Sequence, residues 1–271
     1  MRMLINHTTS YRYSEPQRMI IQSHRLWPAA CDSQKIINWE VHCEDALFGS
    51  YFLDGGGDQI RTMCVENLER DVEIRVTGEI ETSDTNGLIK LRNERVSPLV
   101  YLRDTELTRP DDRIAELAKR ALDLSGENQL DVAHGIMSEV SGAFKYIPGA
   151  TDSSYTASQA LEQGTGVCQD FAHCLIAAAR LNRIPARYTT GYLHMDASGE
   201  QHDASHAWAE LLIEGLGWVG FDATNDCCPD ARYVRVGSGL DAQDAALIRG
   251  ISRGVGEETM HTDVNIVNAQ Q

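Results

Sequence analysis

The first hundred residues consist of short apolar-rich segments separated by turn residues. This spacing is typical of β-strands, and it predicts strands over residues 4–13, 17–27, 36–42, 50–53, 60–65 and 72–81. The clearest turns are the glycine-rich run 54–58 and the run 84–87. Several short strands at such spacing predict an N-terminal antiparallel β-sandwich.

After Pro98 the apolar residues recur at helical spacing. Residues 111–124 and 128–143 each place an apolar stripe on one helical face, and residues 157–163 add a short helical turn. Extended segments follow over 186–195, 205–213 and 218–223, and the tail predicts a helix at 241–248 and a strand at 261–267. Helices followed by strands predict an α+β fold with helices on one side of an antiparallel sheet. We therefore expect two domains, 1–105 and 106–271, the second including the C-terminal strands.

The segment from Gly164 to Arg180 is apolar almost all round, which predicts a helix buried at the centre of a domain. Gly164 and Gly166 allow a tight approach to the helix, and Thr165 is a candidate cap. Cys168 then falls in the first turn, where unpaired N–H groups and the positive end of the helix dipole favour a thiolate. It is a candidate nucleophile, and the alternative is a small buried apolar residue.

Two later segments carry possible partners for this cysteine. His206 opens the strand 205–213, and Asp222 lies near the end of the strand 218–223. A thiol needs a base to act as a nucleophile at neutral pH, and an imidazole needs a carboxylate to fix its tautomer. Each residue alone also fits an ordinary structural role, but Cys168, His206 and Asp222 together form a candidate catalytic triad.

Strand geometry restricts this triad further. His206 and Asp222 share a sheet face only if the residue numbers of opposed pairs in their hairpin sum to an even number. A four-residue loop at 214–217 gives an odd sum and sends the two side chains to opposite faces. We therefore predict a turn of odd length, for example 214–216 with Ile213 opposite Gly217, or a β-bulge.

Charge and cysteine usage limit the other classes of function. The formal net charge of -16 argues against nucleic acid and anionic membranes as partners, because phosphate contacts need basic patches. No stretch has the length of a membrane-spanning helix, and the N-terminus turns polar too early for a signal peptide. Seven cysteines without a regular framework predict reduced thiols and a cytoplasmic protein.

No metal or cofactor site is expected. Asp54 and Asp58 flank glycines without the ligand spacing of a calcium loop, so we interpret them as turn residues. His202 and His206 have the spacing of two zinc ligands on a helix, but they fall in a predicted loop and strand. Cys227 and Cys228 have no second cysteine pair at metal-ligand distance.

The second half of the chain carries five motifs in order: Gly166-Val-Cys-Gln-Asp-Phe-Ala172, Arg183-Ile-Pro-Ala-Arg187, Gly191-Tyr-Leu193, Ser205-His-Ala-Trp208 and Gly217-Trp-Val-Gly-Phe-Asp-Ala-Thr-Asn225. Together these motifs resemble the core of the transglutaminase-like superfamily. The segment His7-Thr-Thr-Ser-Tyr-Arg-Tyr-Ser-Glu-Pro16 resembles the β-rich region that precedes this core in many bacterial members. The resemblance implies a papain-like core with Cys168 as nucleophile, His206 as base and Asp222 as orienting carboxylate.

The same resemblance implies acyl chemistry on glutamine carboxamides or peptide bonds through a thioester, with a peptide or protein as substrate. The backbone N–H of Cys168 would be one oxyanion donor, and Gln163, Gln169 or Tyr146 are candidates for the second. We expect a cysteine peptidase or amidase. The alternatives are an amine-transferring transglutaminase and a non-catalytic interaction module that retained the fold. The substrate, the acyl acceptor and the oligomeric state do not follow from the sequence.

Overall fold

The computed structural model describes residues 1–69, 71–126, 128–195 and 205–269. Its helices are α1 (Asp112–Ser125), α2 (Gln129–Ala143), α3 (Ala157–Gln163) and α4 (Cys168–Leu181), with a 3-10 turn at Pro98–Leu102. Its strands are β1 (Arg2–Tyr13), β2 (Gln17–His24), β3 (Gln34–Cys43), β4 (Leu47–Leu53), β5 (Gln59–Leu68), β6 (Val72–Thr82), β7 (Leu88–Ile89), β8 (Lys145–Tyr146), β9 (Thr165–Gly166), β10 (Ala186–Leu193), β11 (Ser205–Ile213), β12 (Gly217–Phe221), β13 (Tyr233–Gly239), β14 (Ile248–Gly254) and β15 (Glu258–Asn268).

Two four-stranded antiparallel sheets form the predicted N-terminal sandwich. One has the order β15-β1-β6-β3 and the other β14-β2-β5-β4. Buried side chains alternate along β1 and β6, as expected for strands with one face in a core. The shared core includes Ile20 and Met63 from one sheet and Ile74 and Val76 from the other.

The last two strands of the chain belong to this sandwich. β15 pairs with β1 along eleven residues, from Met3 opposite Asn268 to Tyr13 opposite Glu258, and β14 pairs with β2. Conversely, β7, which precedes residue 105, pairs with β12, which follows it and belongs to the five-stranded core sheet. Three strand pairings therefore cross the predicted division at residue 105.

The core sheet has the order β13-β10-β11-β12-β7 and carries the helices on one face. The central helix α4 is buried along almost its whole length and packs on β11, as its apolar sequence predicts. Ala207, Ala209 and Leu211 of β11 face this helical core. The alternate residues of β11, which include His206, Trp208 and Glu210, therefore face the other way. This α+β architecture confirms the predicted fold class.

The sandwich packs against the core sheet. Met3, Ile5 and Ile80 of the first N-terminal sheet share a buried cluster with Tyr192 and Val234 of the core sheet. Tyr192 and Val234 are opposed to each other, and Tyr192 is also opposed to Ser205, so this cluster does not lie on the face of His206. On the His206 face, Arg235 contacts the N-terminal region through Asp58.

Two local predictions were wrong. Residues 241–248 form turns rather than a helix, because the Asp241 side chain accepts the N–H of Asp244 and Ile248 already belongs to β14. Thr165 does not cap α4, since it lies in β9, and Asp170 closes the first turn from within the helix instead. No helix in the described part of the chain is long and apolar enough to cross a membrane.

Candidate active site

Cys168 is the first residue of α4 and is partly exposed. Val167 precedes it as the N-cap in extended conformation, and its backbone N–H donates to Oδ2 of Asp170 at 2.8 Å. A Cβ on Gly166 would lie 2.7 Å from the same carboxylate oxygen, so only glycine permits this close approach. The thiol is therefore presented at the positive end of a helix whose first turn is held from within.

The hairpin β11–β12 has the register that the parity argument predicts. Ile213 lies opposite Gly217 and Ala209 opposite Phe221, so opposed residue numbers sum to an even value. The turn is three residues long, with Gly215 and Gly217 both at positive φ, where a side chain would be strained. His206 and Asp222 therefore leave the same face of the sheet, and this prediction is confirmed.

The three predicted site residues lie together. Nε2 of His206 is 2.7 Å from Oδ2 of Asp222, and both side chains are almost completely buried. The Cys168 thiol lies close enough to the same imidazole to contribute to the shift of its pKa. Because Nε2 faces the carboxylate, Nδ1 is the ring nitrogen left for the thiol.

The electrostatics of this group favour a charged imidazole. Burial alone lowers the pKa of His206, but the Asp222 carboxylate and the Cys168 thiol outweigh it and raise this pKa to about 10. Burial likewise tends to raise the pKa of Asp222, and the imidazolium with three side-chain hydrogen bonds lowers it. A proton on His206 is therefore stabilised chiefly by the Asp222 carboxylate.

Asp222 has more hydrogen-bond donors than the sequence predicted. Its Oδ1 accepts the backbone N–H of Thr224 at 3.0 Å and of Asn225 at 3.3 Å. Its Oδ2 accepts the side-chain amide of Asn225 at 2.7 Å and the hydroxyl of Tyr233 at 2.8 Å, besides His206. Asn225 follows Asp222 by three residues, a local turn pattern that sequence reasoning could have used. Tyr233 comes from the next strand of the fold and has no such local signal.

Aromatic side chains cover the imidazole. The Trp208 ring is stacked on His206 with centroids 6.3 Å apart, and Tyr233 is perpendicular to Trp208 at 5.5 Å. Leu193 joins these two in a small buried cluster. This packing excludes water from one side of His206, which strengthens its electrostatic contacts.

Asp170 lies in the first turn of α4 and pairs with a neighbouring loop. Its Oδ2 accepts the hydroxyl of Thr151 at 2.6 Å in addition to the N–H of Val167. Burial raises the pKa of Asp170, and the two hydrogen bonds oppose that shift. The residue therefore joins the loop before α3 to the N-terminus of the cysteine helix.

The candidates for a second oxyanion donor differ in their surroundings. The side-chain amide of Gln163 donates to the carbonyl of Ala150 and to Thr165 Oγ1, so its two N–H groups are engaged. Tyr146 lies in β8, opposite Gly166 of β9. Gly166 precedes Cys168 by two residues. Gln169 follows Cys168 directly in the first turn and is half-buried. Tyr146 and Gln169 therefore stay predictions for this role.

A buried ion cluster lies on the same sheet face as His206. Glu210 accepts from Arg187 Nε at 2.6 Å and from Arg235 Nε at 2.8 Å. Arg235 also binds Asp58 of the N-terminal turn 54–58 at 2.9 Å, and Arg187 binds Glu94. Burial by itself raises the pKa of Glu210, but Arg235 and Arg187 lower it to about 2. The cluster joins the core sheet to the N-terminal region.

The remaining sequence candidates form no ligand set. No group of three or more His, Cys, Asp or Glu side chains in the described ranges is close enough to hold a metal ion. His202, which has zinc-ligand spacing with His206, lies outside the described residues. Cys227 Sγ lies 3.4 Å from the Tyr233 hydroxyl, and Cys228 packs against the helical core.

Comparison with known proteins agrees with this architecture. Residues 117–223 match the transglutaminase-like superfamily, and residues 3–81 match the bacterial transglutaminase-like N-terminal region. The chain is 28% identical to an uncharacterized protein of Mycobacterium leprae over 98% of its own length and 97% of that protein. An uncharacterized protein of Mycobacterium tuberculosis is 37% identical over 45% of the chain and 42% of its own length.

The crystal structure of a candidate cysteine protease from Cytophaga hutchinsonii has a similar fold. The TM-score is 0.74 at 24% identity, and the match covers 99% of this chain and 91% of that one. At this identity the likeness establishes the fold. Residues 117–223 thus carry a transglutaminase-like core, preceded at 3–81 by the bacterial transglutaminase-like N-terminal region, and the shared fold agrees with both matches.

Proposed function

We propose that the protein is a thiol enzyme that cleaves amide or isopeptide bonds of a peptide or protein through a Cys168 thioester. The observation that carries the proposal is the contact of one imidazole with both Cys168 and Asp222. A nucleophile within hydrogen-bonding reach of a base, with that base oriented by a carboxylate, is the arrangement used in acyl transfer.

Each residue has a distinct role in the proposed mechanism. His206 takes the thiol proton, and Cys168 Sγ attacks the amide carbon to form a tetrahedral oxyanion beside the N-terminus of α4. The C–N bond then breaks, and His206 gives the proton to the leaving amine. Asp222 holds the imidazole through Nε2 and stabilises its positive charge. The backbone N–H of Cys168 supports the oxyanion.

Water is the proposed acceptor of the acyl group. His206 accepts the proton of a water molecule that attacks the thioester, and collapse of the second tetrahedral intermediate releases the acid and the Cys168 thiolate. We favour hydrolysis over transfer to an amine because water is always present at high concentration and the described residues define no acceptor-amine site. The Cytophaga protein, described as a candidate cysteine protease, agrees with this choice.

Trapping of the acyl-enzyme tests the proposal. Peptides that contain glutamine side chains and γ-glutamyl-lysine bonds would be incubated with the enzyme in water enriched in heavy oxygen, quenched in acid and analysed by mass spectrometry. We expect an acyl adduct on Cys168, labile to hydroxylamine, and heavy oxygen in the product. Cys174→Ala, a change at the other cysteine of α4, should retain the adduct. Absence of any adduct in wild type, together with turnover by Cys168→Ala, would contradict the proposal.

A further inference from the structure

Beyond the triad itself, we propose that Tyr233 and Asn225 are positioning residues that limit the negative charge Asp222 presents to His206. The inference rests on the proposed function, in which His206 moves protons between the thiol, the leaving amine and water. The Asn225 amide and the Tyr233 hydroxyl are hydrogen-bond donors that Asp222 would not need if it only oriented the imidazole.

The geometry concentrates donors on one oxygen atom. Oδ2 of Asp222 lies 2.7 Å from His206 Nε2, 2.7 Å from Asn225 Nδ2 and 2.8 Å from the Tyr233 hydroxyl. The other oxygen, Oδ1, already accepts two backbone N–H groups. These two backbone bonds orient the carboxylate, so the two extra side-chain donors are not required for its direction alone.

Additional hydrogen-bond donors to a carboxylate weaken its electrostatic stabilisation of a protonated partner. Each additional N–H or O–H stabilises the negative charge of Oδ2, and the imidazolium gains correspondingly less from the same charge. A base that holds its proton too tightly is a poor acid toward the leaving amine. Tyr233 and Asn225 thus keep His206 nearer to the range in which it both accepts and releases a proton.

The Tyr233 hydroxyl is restricted to the role of donor. Burial and the Asp222 charge raise its pKa far above the ordinary value, so the phenol stays protonated. Its single proton points to Asp222, and its oxygen faces the Cys227 thiol at 3.4 Å. The thiol can donate to that oxygen, which leaves the phenol proton on the carboxylate.

Among the residues that the structure describes, few other charged groups lie near this centre. α4 contributes the Cys168 thiol, and the segment after β12 contributes Cys227 with the Asp230–Arg232 pair. From β10, the residues opposite His206 and Tyr233 are Gly191 and Leu193, which carry no charge. On β11 the next charged side chain on the same face is Glu210, beyond Trp208 and bound to its arginines.

Tyr233→Phe is the direct test because it removes the donor and retains the ring. Tyr192→Phe is the matched control, since Tyr192 lies on the adjacent strand and its hydroxyl bonds His7 at 2.9 Å rather than Asp222. The readout is the titration of His206 by NMR in protein labelled at histidine Cε1, followed to pH 11.5. The signal among nine histidines is assigned with His206→Gln.

We expect Tyr233→Phe to raise the His206 midpoint by roughly 0.5–1 pH unit and Tyr192→Phe to leave it unchanged. Asn225→Ala, which keeps its backbone N–H, should move the midpoint in the same direction. The alkaline limb of Cys168 alkylation by iodoacetamide should shift with it. An unchanged or lowered midpoint in both Tyr233→Phe and Asn225→Ala would overturn the inference. These measurements need no substrate, so they separate this inference from failure of the proposed activity.

Discussion

Nε2 of His206 and Oδ2 of Asp222 lie 2.7 Å apart across a hairpin whose turn is three residues long. A turn one residue longer or shorter, without a bulge, would place the two side chains on opposite faces of the sheet. Insertion of one residue between Glu214 and Leu216 should therefore separate His206 from Asp222. The pairing of β11 with β10 and of β12 with β7 should remain. The turn length is a geometric requirement of the proposed triad.

Selective alkylation is the first test of the cysteine helix. Cys168 is partly exposed at the N-terminus of α4 and contacts His206, whereas Cys174 is fully buried one and a half turns later. Burial, with nearby carboxylates, raises the pKa of Cys174. We expect iodoacetamide near neutral pH to modify Cys168 at least ~10-fold faster than Cys174, as measured by peptide mass spectrometry. Equal labelling of all seven cysteines in the folded protein would count strongly against a selective nucleophile.

Substitution of the three site residues should separate their roles. Cys168→Ala should abolish turnover with the fold intact, because the change from thiol to methyl at a partly exposed position costs little packing. In a comparable protease triad, loss of the base costs on the order of 10⁶ in kcat and loss of the carboxylate roughly 10⁴. We expect His206→Ala to lose more activity than Asp222→Asn, because the carboxylate orients the base without transferring the proton.

The matched control for Asp222→Asn is Asp226→Asn. Asp226 is an exposed carboxylate four residues later, at a φ of 48°, a conformation that asparagine tolerates. This variant should retain activity within about 2-fold, an order-of-magnitude expectation for a surface substitution. Near wild-type activity in His206→Ala would remove the triad altogether.

The acyl acceptor is decided by competition. With a glutamine-containing protein and a small primary amine, we expect deamidation to exceed amine incorporation, because the acyl-enzyme meets water at far higher concentration. Quantitative mass spectrometry of both products at several amine concentrations measures the ratio. Incorporation that outpaces deamidation at millimolar amine would assign amine transfer instead.

The buried ion cluster predicts a pH-dependent contribution to stability. Glu210 is fully buried between Arg187 and Arg235, so Glu210→Gln leaves both guanidinium groups short of a partner. Breaking such a pair costs about 3–5 kcal/mol in free energy of unfolding at neutral pH. Urea unfolding of both proteins measures the difference, and Glu139→Gln, which loses an exposed pair with Arg120, should cost at most about 1 kcal/mol.

The sign of the pH effect follows from the lowered pKa of Glu210. The pKa of Glu210 is about 2 in the folded protein and about 4.3 in the unfolded chain. Its contribution to the free energy of unfolding is therefore fully present above the unfolded pKa. It is lost as the pH falls from there through the folded value. The difference between wild type and Glu210→Gln should therefore shrink between pH 5 and the acid limit of folding. A difference that grows on acidification would contradict this assignment.

The sequence by itself determined where the main helices lie and which residue types stand at their ends. Apolar periodicity located α1, α2 and α4, and the glycines before Cys168 located the N-terminus of the cysteine helix, because these signals act over only a few residues. Parity restricted the turn of the β11–β12 hairpin, because the alternation of side chains along a strand is independent of the rest of the fold.

Only the tertiary structure decided which distant groups meet. The pairing of β15 with β1 and the contact of Asp58 with Arg235 join residues far apart in the chain. Tyr233 reaches Asp222 from a different strand, which is separated from β12 in the core sheet. Such contacts depend on the packing of whole sheets, which no local pattern encodes. The turns at 241–248 have the same cause: apolar spacing there predicted a helix, whereas the chain must enter β14 beside β2 to complete the sandwich.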